Sequence, residues 1–179
     1  QVEVGSARTW KYPSTVLKGF KTTGEFYSVA FTSNYQQTDT GTKILHVGKK
    51  TNSIIFSKSI LSGFSKNIFR SLIKTTEKAT YATIYSQCDS LLLSNASISQ
   101  TYPEFQITGN TSTVVHEAFA GKLEYDKIFY CLQRGLTVKN STILIINGFC
   151  NEALNKLPTE FSIEIYKLIE KHYGDFLEC

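Results

Sequence analysis

Short apolar runs, separated by Gly, Asn, Ser and Asp, fill the sequence up to about Leu123. Hardly any helical periodicity occurs in this part, and turn residues lie close to each run. Many short strands with frequent turns predict an all-β sandwich, barrel or β-helix, and the pattern alone does not choose among the three. We find no internal repeat. The runs are Phe26–Phe31, Lys43–Val47, Ser53–Phe56, Asn67–Ile73, Ala82–Tyr85, Leu91–Leu93, Phe105–Ile107 and Val114–Phe119.

The remaining residues follow the spacing of amphipathic helices, and three helices are predicted. The first ends near Gly135, and the third runs to about Tyr173. Thr137 or Asn140 can cap the second. The positions predicted to be buried are Tyr125, Ile128, Phe129 and Leu132 in the first helix, Ile143, Ile146, Cys150, Leu154 and Leu157 in the second, and Phe161, Ile165, Leu168, Ile169 and His172 in the third.

A length of 179 residues fits one domain with a small appendage. We therefore expect a β core over residues 1–123 and a C-terminal helical domain over residues 124–179. No apolar run is long enough to cross a bilayer, and the first ten residues lack the features of a signal peptide, so neither a membrane protein nor a secreted one is expected. The chain contains no Met, not even at position 1, which indicates a processed product or a piece of a longer protein.

The net charge of +4 comes from 19 Lys and Arg residues that are scattered among 15 acidic ones. Nucleic-acid binding would need basic residues clustered on one face, so it is not expected. The nearest approach to a cluster is interpreted as a solvated edge. Its members are Lys43, Lys49, Lys50 and Lys58.

Three cysteines and one histidine are assigned structural roles. Cys131 and Cys150 lie on or near the predicted buried helical faces, and core packing is favoured for both. Cys179 is terminal, where mobility is expected. His46 lies in an apolar strand, where a buried and hydrogen-bonded histidine is more common than a metal ligand. With no Cys-x-x-Cys pair and no secretory signal, the thiols are expected to be reduced and intracellular.

The residues that concentrate chemistry are Cys88 and the adjacent pair His116 and Glu117. A thiol, an imidazole and a carboxylate can bind a borderline metal such as iron. Because successive strand residues point to opposite faces, only one of His116 and Glu117 can share a face with Cys88. The polar neighbours Gln87 and Asp89 make burial of Cys88 in apolar packing less expected. A thiol hydrolase is disfavoured, because no Gly-rich turn follows Cys88 to form an oxyanion hole.

Five stretches carry a resemblance to a known family. They are Asn34–Lys43, Tyr85–Ser90, His116–Ala118, Gln133–Gly135 and Asn147–Cys150, and they occur in the family's order. They resemble the C-terminal part of SufB, the scaffold subunit of the SUF iron-sulfur cluster assembly machine. The resemblance spans most of the chain and implies a right-handed parallel β-helix followed by a helical C-terminal domain.

The same resemblance implies site residues and partners. In the family, the residues that match Cys88 and Glu117 are implicated in assembly of the nascent iron-sulfur cluster, with the match of His116 beside them. The implied partners are the paralogue SufD at the end of the β-helix, the ATPase SufC on the helical region, and SufE and the desulfurase SufS as sulfur donors. A flavin has been suggested for the complex. Val115 stands where family members often carry a further Glu, and the family's N-terminal part, with another cysteine, is not in this sequence.

The leading hypothesis is therefore a scaffold on which sulfide and ferrous iron meet at the Cys88 thiolate and the Glu117 carboxylate. It requires that the sulfur atom is reachable. Strands of a β-helix stack at about 4.8 Å, so Cys88 and Glu117 are expected to be neighbours. No Gly-x-x-x-x-Gly-Lys-Ser/Thr loop occurs, so ATP hydrolysis is assigned to a separate subunit. Richness in Lys, Asn, Phe and Tyr resembles plastid-encoded versions, and a bacterial cytoplasm is the other expected location.

Two alternatives stay open at this point. A β-helical carbohydrate-active enzyme would need two carboxylates at a fixed separation on one groove, with Asp39, Glu77 and Glu117 as candidates. A purely structural interaction module would bind the ATPase subunit without needing Cys88.

Overall fold

The computed structural model describes residues 1–174, with side chains up to Lys171. The strands are β1 Val2–Val4, β2 Arg8–Lys11, β3 Ser14–Leu17, β4 Thr23–Thr32, β5 Gln37–His46, β6 Asn52–Leu61, β7 Lys66–Thr75, β8 Thr83–Leu92, β9 Ile98–Gln106 and β10 Thr113–Lys122; the helices are α1 Tyr125–Gln133, α2 Val138–Leu154 and α3 Thr159–Gly174. Among these helices, none combines the length and the apolar character needed to cross a membrane. The predictions for the His172 side chain and for Cys179 lie outside the described part.

The strands wind into a parallel β-helix with two facing sheets. Sheet A has the order β1-β4-β6-β8-β10, and sheet B has the order β2-β5-β7-β9 with β3 beside β5. Thr23 pairs with Asn52, Asn52 with Thr83, and Thr83 with Thr113, so equivalent positions lie 29, 31 and 30 residues apart. The parallel β-helix implied by the resemblance is confirmed, with about 4 coils followed by the helices.

The backbone repeats at a nearly regular coil length, although no internal repeat is visible in the sequence. Ser28, Ser57 and Cys88 pair side by side in sheet A, although their chemistry differs. An inner position requires only a side chain that fits between the sheets, so residue types change from coil to coil while the register is kept. The repeat therefore exists in the backbone and is hidden in the sequence.

Inward side chains of both sheets form an apolar cluster, which we call the inner cluster. Its members are Leu17, Ile44, Ile55, Phe69, Ile73, Ile84 and Cys88. Hydroxyl groups bridge the sheets beside it: Ser59 Oγ lies 2.7 Å from Ser90 Oγ, which lies 2.7 Å from Ser99 Oγ. These buried hydroxyl groups form hydrogen bonds with one another. The bonds replace those with water that are lost on burial.

The helices cover the outer face of sheet A and share a second apolar cluster with it, the outer cluster. Its members are Val29, Phe31, Phe56, Ile60 and Leu91 from the strands and Ile146, Cys150, Ala153, Leu154, Ile165 and Ile169 from the helices. Removing this apolar surface from water drives the docking. Thr137 caps α2 by accepting a hydrogen bond from the Asn140 backbone N–H at 3.2 Å, as predicted. The predicted burial of Cys150 is confirmed.

Several other predicted burial positions in the helices are exposed. None of the residues of α1 is buried, and Phe161 in α3 is 64% exposed. Cys131 is only partly buried, so the prediction of core packing is wrong for it. The reason is that α2 lies against the sheet, whereas α1 and α3 pack mainly on α2 and leave part of their apolar stripes uncovered.

His46 is buried and has the structural role that was predicted. Its Nδ1 lies 2.7 Å from Thr51 Oγ1, and its Nε2 lies 2.9 Å from Ser53 Oγ. Burial lowers the pKa of His46 below its usual value of 6.5. The neutral ring is therefore the form that fits the β-helix.

Acid is expected to destabilise the chain through His46. Because the pKa of His46 is lower in the folded chain than in the unfolded chain, the unfolded chain binds more protons as the pH falls below 6.5. The contribution of the neutral ring to the free energy of unfolding is complete above pH 6.5. It declines as the pH falls toward the pKa that His46 has in the folded chain. Urea unfolding at about pH 7.5 and about pH 5.5 measures the loss of stability. The stability of His46→Gln is expected to depend less on pH than that of the wild type. An identical pH dependence in both proteins would contradict this.

Candidate functional site

Cys88 lies on the inner face of sheet A. It belongs to the inner cluster, and only 3% of the residue is exposed. Burial raises the pKa of Cys88 to about 12, opposed by a hydrogen bond with Ser86. At neutral pH the sulfur is therefore a thiol, whereas attack and metal binding need the thiolate. The expectation that polar neighbours prevent apolar burial is wrong, because Gln87 and Asp89 point outward and Cys88 points inward.

His116 shares the inner face with Cys88. In the ladder between β8 and β10, His116 pairs with Ser86, and Ala118 pairs with Cys88. Paired residues of a parallel ladder point to the same side. The imidazole lies 5.7 Å from the ring of Phe105. The Nδ1 of His116 is buried without a hydrogen-bond partner. In the described part of the chain, the only partner of Ser86 Oγ is the Cys88 thiol, which accepts hydrogen bonds weakly. Unsatisfied groups of this kind can receive an incoming polar species.

Glu117 lies on the opposite face. It pairs with Gln87, so its backbone is next to that of Cys88, yet the sheet separates the two side chains. The expectation that Cys88 and Glu117 are neighbours is thus wrong for their side chains, and His116 is the one that joins Cys88. Beside Glu117 lies Tyr85, whose pKa is raised by burial first and then by the charge of Glu117 and a hydrogen bond to it.

Five polar side chains form a line on the outer face of sheet A, which we call the outer polar row. Its members are Glu117, Tyr85, Gln87, Asp89 and Lys58. Tyr85 OH donates to Gln87 Oε1 at 2.7 Å, and Gln87 Nε2 donates to Asp89 Oδ2 at 2.8 Å. Lys58 Nζ donates to the same Asp89 oxygen at 2.5 Å. Lys58 and Asp89 are each 8% exposed. The interpretation of Lys58 as part of a solvated edge is therefore wrong.

The candidate metal ligands do not form a complete site. Among the residues that the structure describes, no three His, Cys, Asp or Glu side chains converge as a metal ion needs. Cys88 and His116 offer two donors on the inner face, and Glu117 offers a carboxylate on the outer face. An iron-sulfur cluster bound at Cys88 therefore needs ligands other than His116 and Glu117.

The carboxylates of the carbohydrate-active alternative lie on different surfaces. Asp39 is on sheet B, where it pairs with Arg70 at 3.2 Å and accepts a hydrogen bond from Tyr12. Glu77 lies in the turn between β7 and β8, and Glu117 lies on the outer face of sheet A. Cleavage of a glycosidic bond needs two carboxyl groups on either side of that bond. This arrangement gives the alternative no support.

From the sequence, Lys58 was assigned to a solvated edge, and Tyr85 was given no role of its own. One signal was available in β6, where the outward residues Phe56 and Ile60 flank Lys58 and indicate a covered outer face. No local signal marks Tyr85. The register of β8 against β10 pairs Tyr85 with Val115, so Tyr85 and Glu117 lie diagonally on the same face of the sheet.

Comparison with known proteins gives a consistent family. The family model described as SUF system FeS cluster assembly, SufBD core domain, matches residues 1–149. The iron-sulfur cluster assembly SufBD family protein ycf24 of Antithamnion sp. is 52% identical over 169 residues, which are 94% of this chain and 57% of the relative. The SufBD family protein slr0074 of Synechocystis sp. is 50% identical over 169 residues, 94% of this chain and 35% of the relative. The chain thus spans well under two thirds of the length of these relatives.

Two further relatives extend the comparison. The chloroplastic SufBD family protein ABCI8 of Arabidopsis thaliana is 48% identical over 94% of this chain and 30% of its own length. The ycf24 protein of Galdieria sulphuraria is 47% identical over 94% of this chain and 76% of its own length. The matches include the strands that carry Cys88, His116 and Glu117 as well as the start of the helices. The chain belongs to the SufBD family of iron-sulfur cluster assembly proteins.

Proposed function

We propose that this chain is the cluster-building part of a SufB scaffold and that Cys88 accepts the sulfur. The observation that carries the proposal is that Cys88, Ser86 and His116 share the inner face at one edge of sheet A, with His116 on the edge strand and the other two on the strand next to it. Strand β10 is that edge, because in the described part of the chain it pairs only with β8. Its inward Ala118, the residue paired with Cys88, is small and exposed. Cys88 itself is closed off in this structure, and a displacement of β10 at this end of the β-helix would open the path for sulfur.

His116 supplies the base that a buried thiol needs. A thiol with a pKa of about 12 does not attack at neutral pH until its proton is removed. The Cys88 thiolate attacks the outer sulfur of a persulfide on a donor protein; a new S–S bond forms at Cys88, and the S–S bond of the donor breaks. The donor leaves as a thiolate and takes the proton that His116 held. Cys88–SH and donor–S–SH thus become Cys88–S–SH and donor–SH.

The proposed partners are those that the family resemblance implies. SufE, charged by SufS, is the persulfide donor. Conversion of the bound sulfur into sulfide needs two electrons, which a reduced flavin bound in the full complex would supply. Ferrous iron is held at the exposed Glu117. The paralogue SufD covers the β10 edge and adds ligands. ATP hydrolysis by SufC, docked on residues 124–179, moves the helices, while residues 1–123 carry the cluster; this chain acts as a scaffold and not as an ATPase.

The location that fits this role is a plastid or a bacterial cytoplasm. A relative that is 48% identical is a chloroplastic protein. The residue composition, rich in Lys, Asn, Phe and Tyr, points the same way.

Anaerobic assembly in the complete complex tests the proposal. With SufC and SufD present, and with ferrous iron and a persulfide donor, the wild type is expected to develop the visible absorption of an iron-sulfur cluster. Cys88→Ser is expected to lose both iron and acid-labile sulfide, because the sulfur acceptor is gone. His116→Phe keeps an aromatic ring beside Phe105 and is expected to slow the sulfur transfer by about 100-fold, the usual contribution of a general base.

Cys131→Ser is the matched control. Cys131 is a partly buried cysteine on α1, away from the inner face, so its loss is expected to leave assembly unchanged. Cluster content in Cys88→Ser equal to that of Cys131→Ser would refute the assignment of Cys88.

A further inference from the structure

We propose that the outer face of sheet B is the surface on which the persulfide donor docks, and that the donor binds it through an acidic surface. The inference rests on the proposed function, because it takes Cys88 as the sulfur acceptor. Two features of this face support it: its charge and its position beside the end of the β-helix.

The outward side chains of sheet B gather positive charge on one face, which we call the basic face. Alternation along the strands places two acids there, Asp39 and Glu104, among five cations. Five cations against two acids leave three positive charges in surplus, compared with +4 for the whole chain. A partner with the opposite charge is therefore attracted to this face. The cations are Arg8, Lys43, Lys66, Arg70 and Lys74.

Exposed aromatic rings stand among these cations. Trp10 is 83% exposed, Tyr102 is 47% exposed and Tyr12 is 40% exposed. The helices pack on sheet A and leave these rings open to solvent. Trp, Tyr and Arg are the residue types that contribute most to the binding energy of protein interfaces. The basic face thus has the composition of a protein-binding surface.

Arg70 is held in place in the middle of the basic face. Its Nε donates to Asp39 at 3.2 Å, and its guanidinium group lies 4.8 Å from the centre of the Tyr102 ring. A side chain that is fixed before binding loses little conformational entropy on binding. A groove of about 820 Å³ lies beside it, with Lys43 and Tyr102 among its lining residues. A carboxylate of the donor that enters this groove meets Arg70 and Lys43 as charge partners.

Strand β9 links the basic face to Cys88. Ser90, two residues after Cys88, has its Oγ 2.7 Å from Ser99 Oγ of β9. Phe105 of β9 packs against the inner cluster, to which Cys88 belongs. The inward side of β9 between Ser99 and Phe105 therefore lies opposite Cys88. Tyr102 belongs to the same stretch and points outward onto the basic face.

The path from the basic face to Cys88 is short, because β9 is an edge strand. In the described part of the chain, β9 pairs only with β7. Facing sheets lie about 10 Å apart, so a segment of the donor that carries the persulfide passes around β9 over about that distance. The helices cover the outer face of sheet A, and the paralogue is proposed to cover the β10 edge. The basic face is the surface that remains free for the donor.

The acids within the basic face favour a protein over a nucleic acid as its partner. Asp39 and Glu104 would repel a continuous line of phosphates. A protein surface can instead place a neutral or basic side chain opposite each of them, as interfaces with complementary charge do.

Binding of fluorescently labelled SufE to the complete complex, followed by anisotropy, tests this surface. Lys43→Glu combined with Lys66→Glu is expected to weaken binding about 10-fold or more at low salt, and the difference is expected to shrink at high salt. Trp10→Ala is expected to weaken binding about 30-fold, the effect of an interface residue that dominates the binding energy. Phe20→Ala removes another exposed ring, in the turn between β3 and β4, and is expected to leave binding unchanged.

Lys49→Glu combined with Lys78→Glu is the matched control for the charge reversal. Both lysines lie in turns that lead from sheet B to sheet A, so the net charge changes equally while the basic face is kept. Equal affinity for SufE in the two double variants would overturn the inference. A single-stranded RNA that binds the wild type more tightly than SufE does, and loses this binding in the Lys43 and Lys66 variant, would also overturn it.

The binding measurement does not depend on the chemistry at Cys88. Cys88→Ser is expected to bind SufE as tightly as the wild type does. Failure of the proposed function shows separately, as cluster assembly that survives Cys88→Ser.

Discussion

At about pH 8, Cys88 in the folded chain is expected to react with a small maleimide about 1000-fold more slowly than a cysteine of ordinary pKa. The thiolate is the reactive form, and burial raises the pKa of Cys88 from 9.0 to about 12. Each unit of pKa lowers the thiolate fraction about tenfold at this pH. Timed labelling followed by mass spectrometry of the Cys88 peptide measures the rate, with the chain in denaturant as the reference.

Two other cysteines serve as internal references for this rate. Cys150 is fully buried, and burial raises its pKa to about 12, so it is expected to be equally slow. Cys131 is partly exposed and is expected to react faster. In the complete complex with ATP, the proposed function predicts that Cys88 reacts faster than it does in the chain alone. A Cys88 as reactive as Cys131 in the chain alone would contradict a closed inner face.

Gly41→Ala is expected to destabilise the β-helix by about 3 kcal/mol or more, a size reserved for severe strain. A Cβ at this position of β5 would lie 1.7 Å from the carbonyl oxygen of Arg70 on the paired strand. No rotamer relieves such a contact, because both groups belong to the backbone, so the two strands must separate. Urea unfolding followed by circular dichroism gives the free energy of unfolding.

Gly148→Ala is the matched control, since it adds the same methyl group elsewhere. A Cβ at Gly148 meets nothing within 4 Å. Gly148 lies inside α2, where Ala favours the helix by about 0.5–1 kcal/mol over Gly. This variant is therefore expected to be slightly more stable than the wild type. Equal stability of the two variants would show that the strands tolerate the methyl group.

The elements themselves could be predicted, because their signals are local. The run Asn67–Ile73 lies within β7, and Val114–Phe119 lies within β10. Thr137 begins α2 because its hydroxyl satisfies a free backbone N–H. The pairing of Cys88 with Ala118 was out of reach for local patterns, since it depends on the length of a whole coil. Only the family resemblance selected the β-helix among the three all-β folds that the local pattern allowed.

The candidate site was predictable in part. Alternation correctly separates His116 from Glu117, but it does not tell which face is inside. In sheet A both faces are covered, so the inward Ile55 and the outward Phe56 are both buried. Lys58 lies beneath α2 on this covered outer face, and the flanking Phe56 and Ile60 were the only local sign of it.

The coils, 29–32 residues long, also limit how this protein can change its length in evolution. Loss of one residue within a strand turns every later side chain of that strand to the other surface, which would carry Cys88 out of the interior. Duplication or loss of an entire coil preserves the lateral partners of all the others. We therefore expect related proteins to differ in length by whole coils. Insertions of single residues are expected only in the turns between sheet A and sheet B.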